Sequence, residues 1–162
     1  MIAEKSLLQF KDFVILNSSY KFNQFTDTDN PEKILETISN YVIDIDFGFR
    51  KQEAGVFLFA KVVVNPQAQG IAGYTIEAEG LGVIPHAVYH NLDEKLVADL
   101  INIPAVNIAI NQIRGYIANV TAYGPYGRYL LPAIDLNALM KSKLSKQAAN
   151  KKKPAEGQSK GI

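Results

Sequence analysis

In residues 41–50 every second position is apolar, starting with Tyr41, and most of the positions between them are polar. This period of two predicts a β-strand with one buried face. Residues 52–55 predict a turn, and a second alternating stretch begins at Val56 and runs to residues 65 and 66. Two such stretches joined by a short turn predict a β-hairpin.

Two further strands are predicted at residues 7–22 and 74–84. The first has apolar residues in two different phases, which indicates a β-bulge near Lys11 and Asp12. Asn, Asp, Thr, Pro and Gly are dense in the stretches between the strands, and these residues favour loops. We therefore expect four strands, with at most a short helical turn at residues 32–36.

From residue 91 onward the apolar period changes from two to between three and four, which predicts helices. A short helix is expected over residues 92–101, capped by Asn91 or Asp93, and Pro104 then interrupts the chain. The remaining predicted helices are a long one with apolar residues at 106, 110, 113, 117 and 120, and a last one over residues 135–147.

One face of the second hairpin strand is apolar where a solvated sheet would be polar. Its buried face begins at Val56, yet the opposite face carries Phe57, Phe59 and Val63, interrupted only by Lys61. Large exposed apolar surfaces mark interaction sites. We expect something other than water to cover this face, either a partner or another copy of the chain.

Charge is distributed unevenly along the 162 residues. Residues 141–162 hold seven lysines and one glutamate, a net charge of +6, while residues 1–140 are mildly acidic at −5. We expect a folded domain over residues 1–145 and a disordered, lysine-rich tail over 146–162. The absence of cysteine excludes disulfides and thiolate metal sites, and we expect a cytoplasmic protein without membrane insertion.

The residues that carry chemistry do not form a recognisable catalytic pattern. His86 and His90 are four apart, a spacing that metal sites use, but no third ligand can be named, so we expect no metal. No phosphate loop or nucleophile elbow is present. We expect no enzymatic activity, no cofactor and no specific nucleic-acid binding; the tyrosines and Arg128 of the loop at 124–131 fit a structural or protein-facing role better.

The order of these elements resembles that of the SecB family of export chaperones. The segment YTIEAEGLGVI at 74–84 resembles a family strand, and Arg114, Ile117, Gly124 and the LPAIDLNAL segment fall at close to the family's intervals. The resemblance implies an α+β fold: a four-stranded antiparallel sheet with two main helices packed on one side. It also implies a dimer of dimers that holds unfolded preproteins or other nonnative polypeptides without ATP, and that delivers them to SecA.

The hypothesis that follows is a holdase for export or for a dedicated client such as an antitoxin. Its expected client-binding residues are Phe57, Phe59 and Val63 on the sheet and Tyr123, Tyr126 and Tyr129 in the loop. By the resemblance, Asp12 and Glu77 match acids that contact SecA, whereas Leu16 stands at the position of a further acid. The alternatives are a carrier of small hydrophobic ligands or lipids, with its cavity between sheet and long helix, and a structural adaptor subunit whose apolar face is permanently covered.

Overall fold

The computed structural model describes residues 4–25, 30–66 and 72–151, with side chains described as far as residue 146. The chain divides into two units, Met1–Pro132 and Ala133–Ile162. The first unit contains the sheet and three helices, and the second contains one helix. In chain order the elements are β1 (Asp12–Asn23), α1 (Pro31–Ser39), β2 (Ile43–Gln52), β3 (Gly55–Val64), β4 (Gly73–Pro85), α2 (Glu94–Leu100), α3 (Val106–Val120) and α4 (Leu136–Lys151).

The four strands form one antiparallel sheet in the order β1-β4-β3-β2. The hairpin prediction is confirmed, since Gln52 of β2 pairs with Gly55 of β3 across a two-residue turn. The α+β class with a four-stranded antiparallel sheet is confirmed as well.

The predicted position of the bulge in β1 is wrong. The strand begins only at Asp12, and its pairing with β4 shifts between Ile15 and Asn17, so the extra residue is Leu16. Phe13 and Ile15 therefore share the α3 side of the sheet with residues 18, 20 and 22, although the two sets differ in parity. A bulge changes the alternation by one residue, so the inward-facing residues before and after Leu16 have different parity. The phase difference between Phe10 and Phe13, on which the prediction rested, has another origin, because Phe10 precedes the strand.

The core lies between α3 and one face of the sheet, here called the inner face. The β3 residues predicted to be buried, from Val56 to Val64 at every second position, are at most 6% exposed. The apolar side of α3 packs against them, with Ile110, Ile113 and Ile117 at most 2% exposed. A hydrogen bond of 2.6 Å between the Ser18 and Tyr116 hydroxyls joins α3 to β1 across the same interface. The opposite face of the sheet is here called the outer face.

Pro104 interrupts the regular α-helix between α2 and α3, as predicted, but it does not end the helical run. A π-helical turn at Ile101–Ala105 contains Pro104 and joins α2 to α3. The wider π turn accommodates a ring that lacks an N–H group and would clash in a regular α-helix. The result is a continuous helix, Glu94–Val120, whose most apolar 18-residue window has a mean hydropathy of 1.4.

By length and composition alone, Glu94–Val120 could cross a membrane. Core helices of soluble proteins pass the same test, and the α3 part of this helix packs on the sheet. The helix is therefore weak evidence for a membrane span.

Two other helices differ from their predicted lengths. α1 extends over nine residues rather than one turn, and Asn30 Oδ1 caps it by accepting from the Lys33 amide at 3.2 Å. In the second unit, Asp135 Oδ1 caps α4 by accepting from the Ala138 amide at 3.0 Å. α4 continues to Lys151, so residues 146–151 of the predicted disordered tail are helical, and residues 152–162 lie outside the described residues.

Candidate functional site

The loop that follows α3 is held in place by side chains from β4 and from α3. The Tyr74 hydroxyl of β4 donates to the Gly127 carbonyl and accepts from the Tyr126 amide, each at 2.9 Å. Thr121, at the end of α3, is fully buried, and its hydroxyl accepts from the Tyr129 amide at 2.8 Å. Because both partners are positioned by the core, these bonds fix the middle of the loop against the sheet.

Arg114 fixes the end of the loop. Its Nε donates to the Leu131 carbonyl and its Nη2 to the Pro132 carbonyl, each at 2.9 Å, while Nη1 donates to the Asn111 side chain. The segment around Leu131 and Pro132 has no regular secondary structure to pair its backbone carbonyls. The Arg114 side chain donates the hydrogen bonds that two of these carbonyls require.

Two glycines make the path of the loop feasible. Gly127 has a φ of 72°, in the left-handed region that glycine adopts without steric cost. At Gly124 an added Cβ would lie 2.5 Å from the Tyr74 hydroxyl oxygen and 2.8 Å from that of Tyr20. The loop can approach the sheet this closely only because Gly124 has no side chain.

A groove opens between α1 and this loop and has a volume of about 320 Å³. We call it the α1–loop groove. It is lined by Leu35, Ile38 and Ser39 of α1, Tyr74 of β4, and Tyr126, Arg128, Tyr129, Leu130 and Pro132 of the loop. Leu35 and Leu130 are 64% and 65% exposed, so aliphatic surface on both walls is open to solvent.

Further aromatic rings pack against the tyrosines that line the groove. Tyr126 packs edge-on against Phe25, with ring centroids 5.1 Å apart, and lies 5.6 Å from Phe22. Tyr129 lies 5.9 Å from Tyr41. Burial raises the pKa of Tyr129 to about 12, with a smaller contribution from Tyr41, so the Tyr129 hydroxyl stays neutral at physiological pH.

The structure separates the predicted client-binding residues into two surfaces. Tyr126 and Tyr129 line the α1–loop groove, where Tyr129 is only 7% exposed, and Tyr123 is outside the groove and 99% exposed. Phe57, Phe59 and Val63 are half-buried on the outer face, on the other side of the sheet from α3. The sheet and loop residues therefore do not form one site.

The outer face is itself divided along its strands. Phe57 and Phe59 pair with Val83 and Leu81 of β4, and Val14 of β1, 46% exposed, pairs with Leu81. These five residues are the apolar part of the face, and directly opposed side chains of an antiparallel pair lie on the same face.

Val63 lies outside this apolar part, because Lys61 separates it from Phe59 along β3. Its partners across the sheet are Asp44 of β2 and Glu77 of β4. Lys61 forms an ion pair of 2.6 Å with Glu77. Val63 is thus surrounded by charged residues rather than by the apolar part of the face.

Both residues that match acids of the SecA contact lie on the outer face. Asp12 pairs with Val83 at one end of β4, and Glu77 lies six residues away along the same strand. At 3.4 Å per residue, the two positions are about 20 Å apart along the strands.

The two histidines lie beside a separate cavity of about 380 Å³, formed after β4 and at the start of α2. Their ring centroids are 5.8 Å apart, and the His90 ring Nδ1 lies 3.1 Å from the Ala87 carbonyl. Within the described part of the chain, no three His, Cys, Asp or Glu side chains lie close enough together to hold a metal ion.

Comparison with known proteins identifies the architecture. No protein-family model and no curated protein matches the sequence. Among solved structures, the chain is similar to a SecB-like chaperone of Mycobacterium tuberculosis, determined in complex with a ChAD peptide from the HigA1 antitoxin. The TM-score is 0.54 at 11% identity, over 79% of this chain and 88% of that one. The fold is SecB-like.

Three residues that line the α1–loop groove are not identified by the sequence patterns. They are Leu35, Ile38 and Leu130. Leu35 and Ile38 belong to α1, which the sequence indicated only as a short turn. Their spacing of three residues is the signal that could have shown a longer helix with one apolar side. Leu130 follows the Gly and Pro residues of the loop, where no periodicity exists.

Proposed function

We propose that this protein is an ATP-independent chaperone that binds extended apolar segments of nonnative polypeptides, a holdase without enzymatic activity. The observation that carries the proposal is the α1–loop groove, which has an exposed leucine side chain on each wall and is also lined by tyrosines. Leaving apolar side chains exposed has no benefit for a folded monomer, whereas a partner that covers them gains hydrophobic stabilisation.

The fold and the loop support the same proposal. The structural neighbour is a SecB-like chaperone whose structure contains an antitoxin peptide, so this architecture accommodates a polypeptide ligand in at least one protein. The groove here is preorganised, since Tyr74, Thr121 and Arg114 hold its loop wall. Preorganisation lowers the entropic cost of binding.

The proposal includes a dimer of dimers in the cytoplasm, with the apolar part of the outer face as a second contact surface for clients or for another copy. We also propose SecA as a partner. It is supported by Asp12 and Glu77 on one face, while Leu16, at the position of a third acid, forms the bulge of β1.

The direct test is size-exclusion chromatography with light scattering, on the pure protein and after mixing with a denatured, slowly folding client. A mass of about 72 kDa for four chains of 17.9 kDa, with the client in the same peak, supports the proposal. A smaller species that leaves the client to aggregate would contradict it and favour a ligand carrier or an adaptor subunit.

Paired variants connect any holdase activity to the groove. Leu35→Ser combined with Leu130→Ser should weaken client capture without unfolding the protein, because both side chains are already largely exposed. Leu7→Ser is the matched control, since Leu7 is 68% exposed and does not line the groove. Equal capture by the double variant and the control would show that clients bind elsewhere.

A further inference from the structure

The α1–loop groove has one charged group available to a ligand. Among the described residues that line it, Arg128 alone carries a charge, since the others are aliphatic residues, a proline, a serine and three tyrosines. The Ser39 hydroxyl donates to the Leu35 carbonyl at 2.8 Å, and the Tyr74 hydroxyl is occupied by the loop backbone. These two hydroxyls are already engaged within the protein.

Arg128 is exposed, and its guanidinium makes no hydrogen bond or ion pair with any residue whose side chain the structure describes. Arg114, only fourteen residues earlier, is in contrast fully engaged with the loop carbonyls. Within the described residues, Arg128 is therefore not among the side chains that hold the loop. A guanidinium presents a planar set of donors that matches a carboxylate.

We propose that Arg128 gives the α1–loop groove a preference for client segments in which apolar residues are flanked by an aspartate or glutamate side chain. The inference rests on the proposed function, and it names the chemistry of the client. The apolar side chains would contact Leu35, Leu130 and the tyrosines, and the carboxylate would pair with Arg128 at the edge.

The size of the preference follows from the exposure of Arg128. A solvent-exposed ion pair strengthens binding by at most about fivefold, and salt screens it. The preference is thus modest for a single segment, and it grows when several segments of one client engage several copies of the groove.

The test uses three labelled peptides of equal length, acetylated and amidated at their ends, with the same leucines and phenylalanine flanked by Glu, Gln or Lys. Fluorescence anisotropy at low salt should show that the Glu peptide binds most tightly and the Lys peptide most weakly. The Glu peptide should bind about three- to fivefold more tightly than the Gln peptide. Arg128→Gln should remove the difference between the Glu and Gln peptides, and Arg128→Glu should invert the order. Lys95→Gln, at an exposed lysine of α2 that does not line the groove, should leave the order unchanged.

The outcomes separate this inference from the proposed function. Equal affinity of the wild-type protein for the Glu and Gln peptides overturns the role of Arg128 but leaves the holdase proposal standing. A preference that Lys95→Gln abolishes as fully as Arg128→Gln does also overturns it, because the effect then comes from overall charge. If the protein binds none of the peptides and also fails to capture a denatured client, both the role of Arg128 and the holdase proposal are overturned.

Discussion

Replacing Tyr74 with phenylalanine tests how the wall of the α1–loop groove is held. The substitution deletes a single oxygen, and the ring, which is 1% exposed, keeps its packing against Tyr20 and Phe22. That oxygen makes two hydrogen bonds of 2.9 Å, to the Gly127 carbonyl and from the Tyr126 amide. At about 1 kcal/mol net for each bond, we expect the free energy of unfolding to fall by about 2 kcal/mol.

For a chain of this size, such a loss lowers the melting temperature by about 4–8 °C. The assay is urea unfolding followed by far-ultraviolet circular dichroism, with Tyr123→Phe as the control. Tyr123 is 99% exposed, so its hydroxyl contributes little to stability. Equal unfolding midpoints for the two variants would refute the reasoning, because the Tyr74 hydroxyl would then not hold the loop.

Three further predictions concern other parts of the molecule. Phe57→Ser combined with Phe59→Ser should reduce suppression of client aggregation while the circular dichroism spectrum stays native, and an unfolded double variant would show instead that these rings are core. The pKa of Tyr129 is raised from 10.0 to about 12 in the folded protein, so the unfolded chain loses this proton first as pH rises. The free energy of unfolding should therefore fall between pH of about 10 and about 12. Tyr129→Phe should make that fall smaller when unfolding is measured over this alkaline range. Replacing Glu77 with glutamine should change stability by less than about 1 kcal/mol, because the ion pair with Lys61 is partly exposed; a larger loss in urea would reveal an additional role.

Much of the sheet is predictable because its burial is one-sided. β2 alternates cleanly between apolar residues on the inner face and mostly polar residues on the outer face, and this asymmetry is visible in the residues themselves. The bulge at Leu16 is not located by such a pattern. Ile15 and Tyr20 differ in parity although both face inward, so the extra residue lies between them, and only the pairing with β4 places it at Leu16.

The candidate site is less predictable than the sheet. The composition of the loop indicates its tyrosines as candidate binding residues. In the structure Tyr126 packs against Phe22 and Tyr129 against Tyr41, whereas Tyr123 is almost fully exposed to solvent. The opposite wall comes from α1, about ninety residues earlier in the chain. No local pattern connects Leu35 to Leu130, since their proximity depends on the whole fold.

The α1–loop groove is complete only once the loop after α3 has been anchored to the sheet. Tyr74 lies 52 residues before Tyr126, so the bond between them closes a long span of chain. We expect such a long-range contact to form late, because the entropy of closing the intervening chain opposes it. A partly folded copy would then have no finished groove, and the client binding proposed for that site would begin only once the chain's own folding is complete.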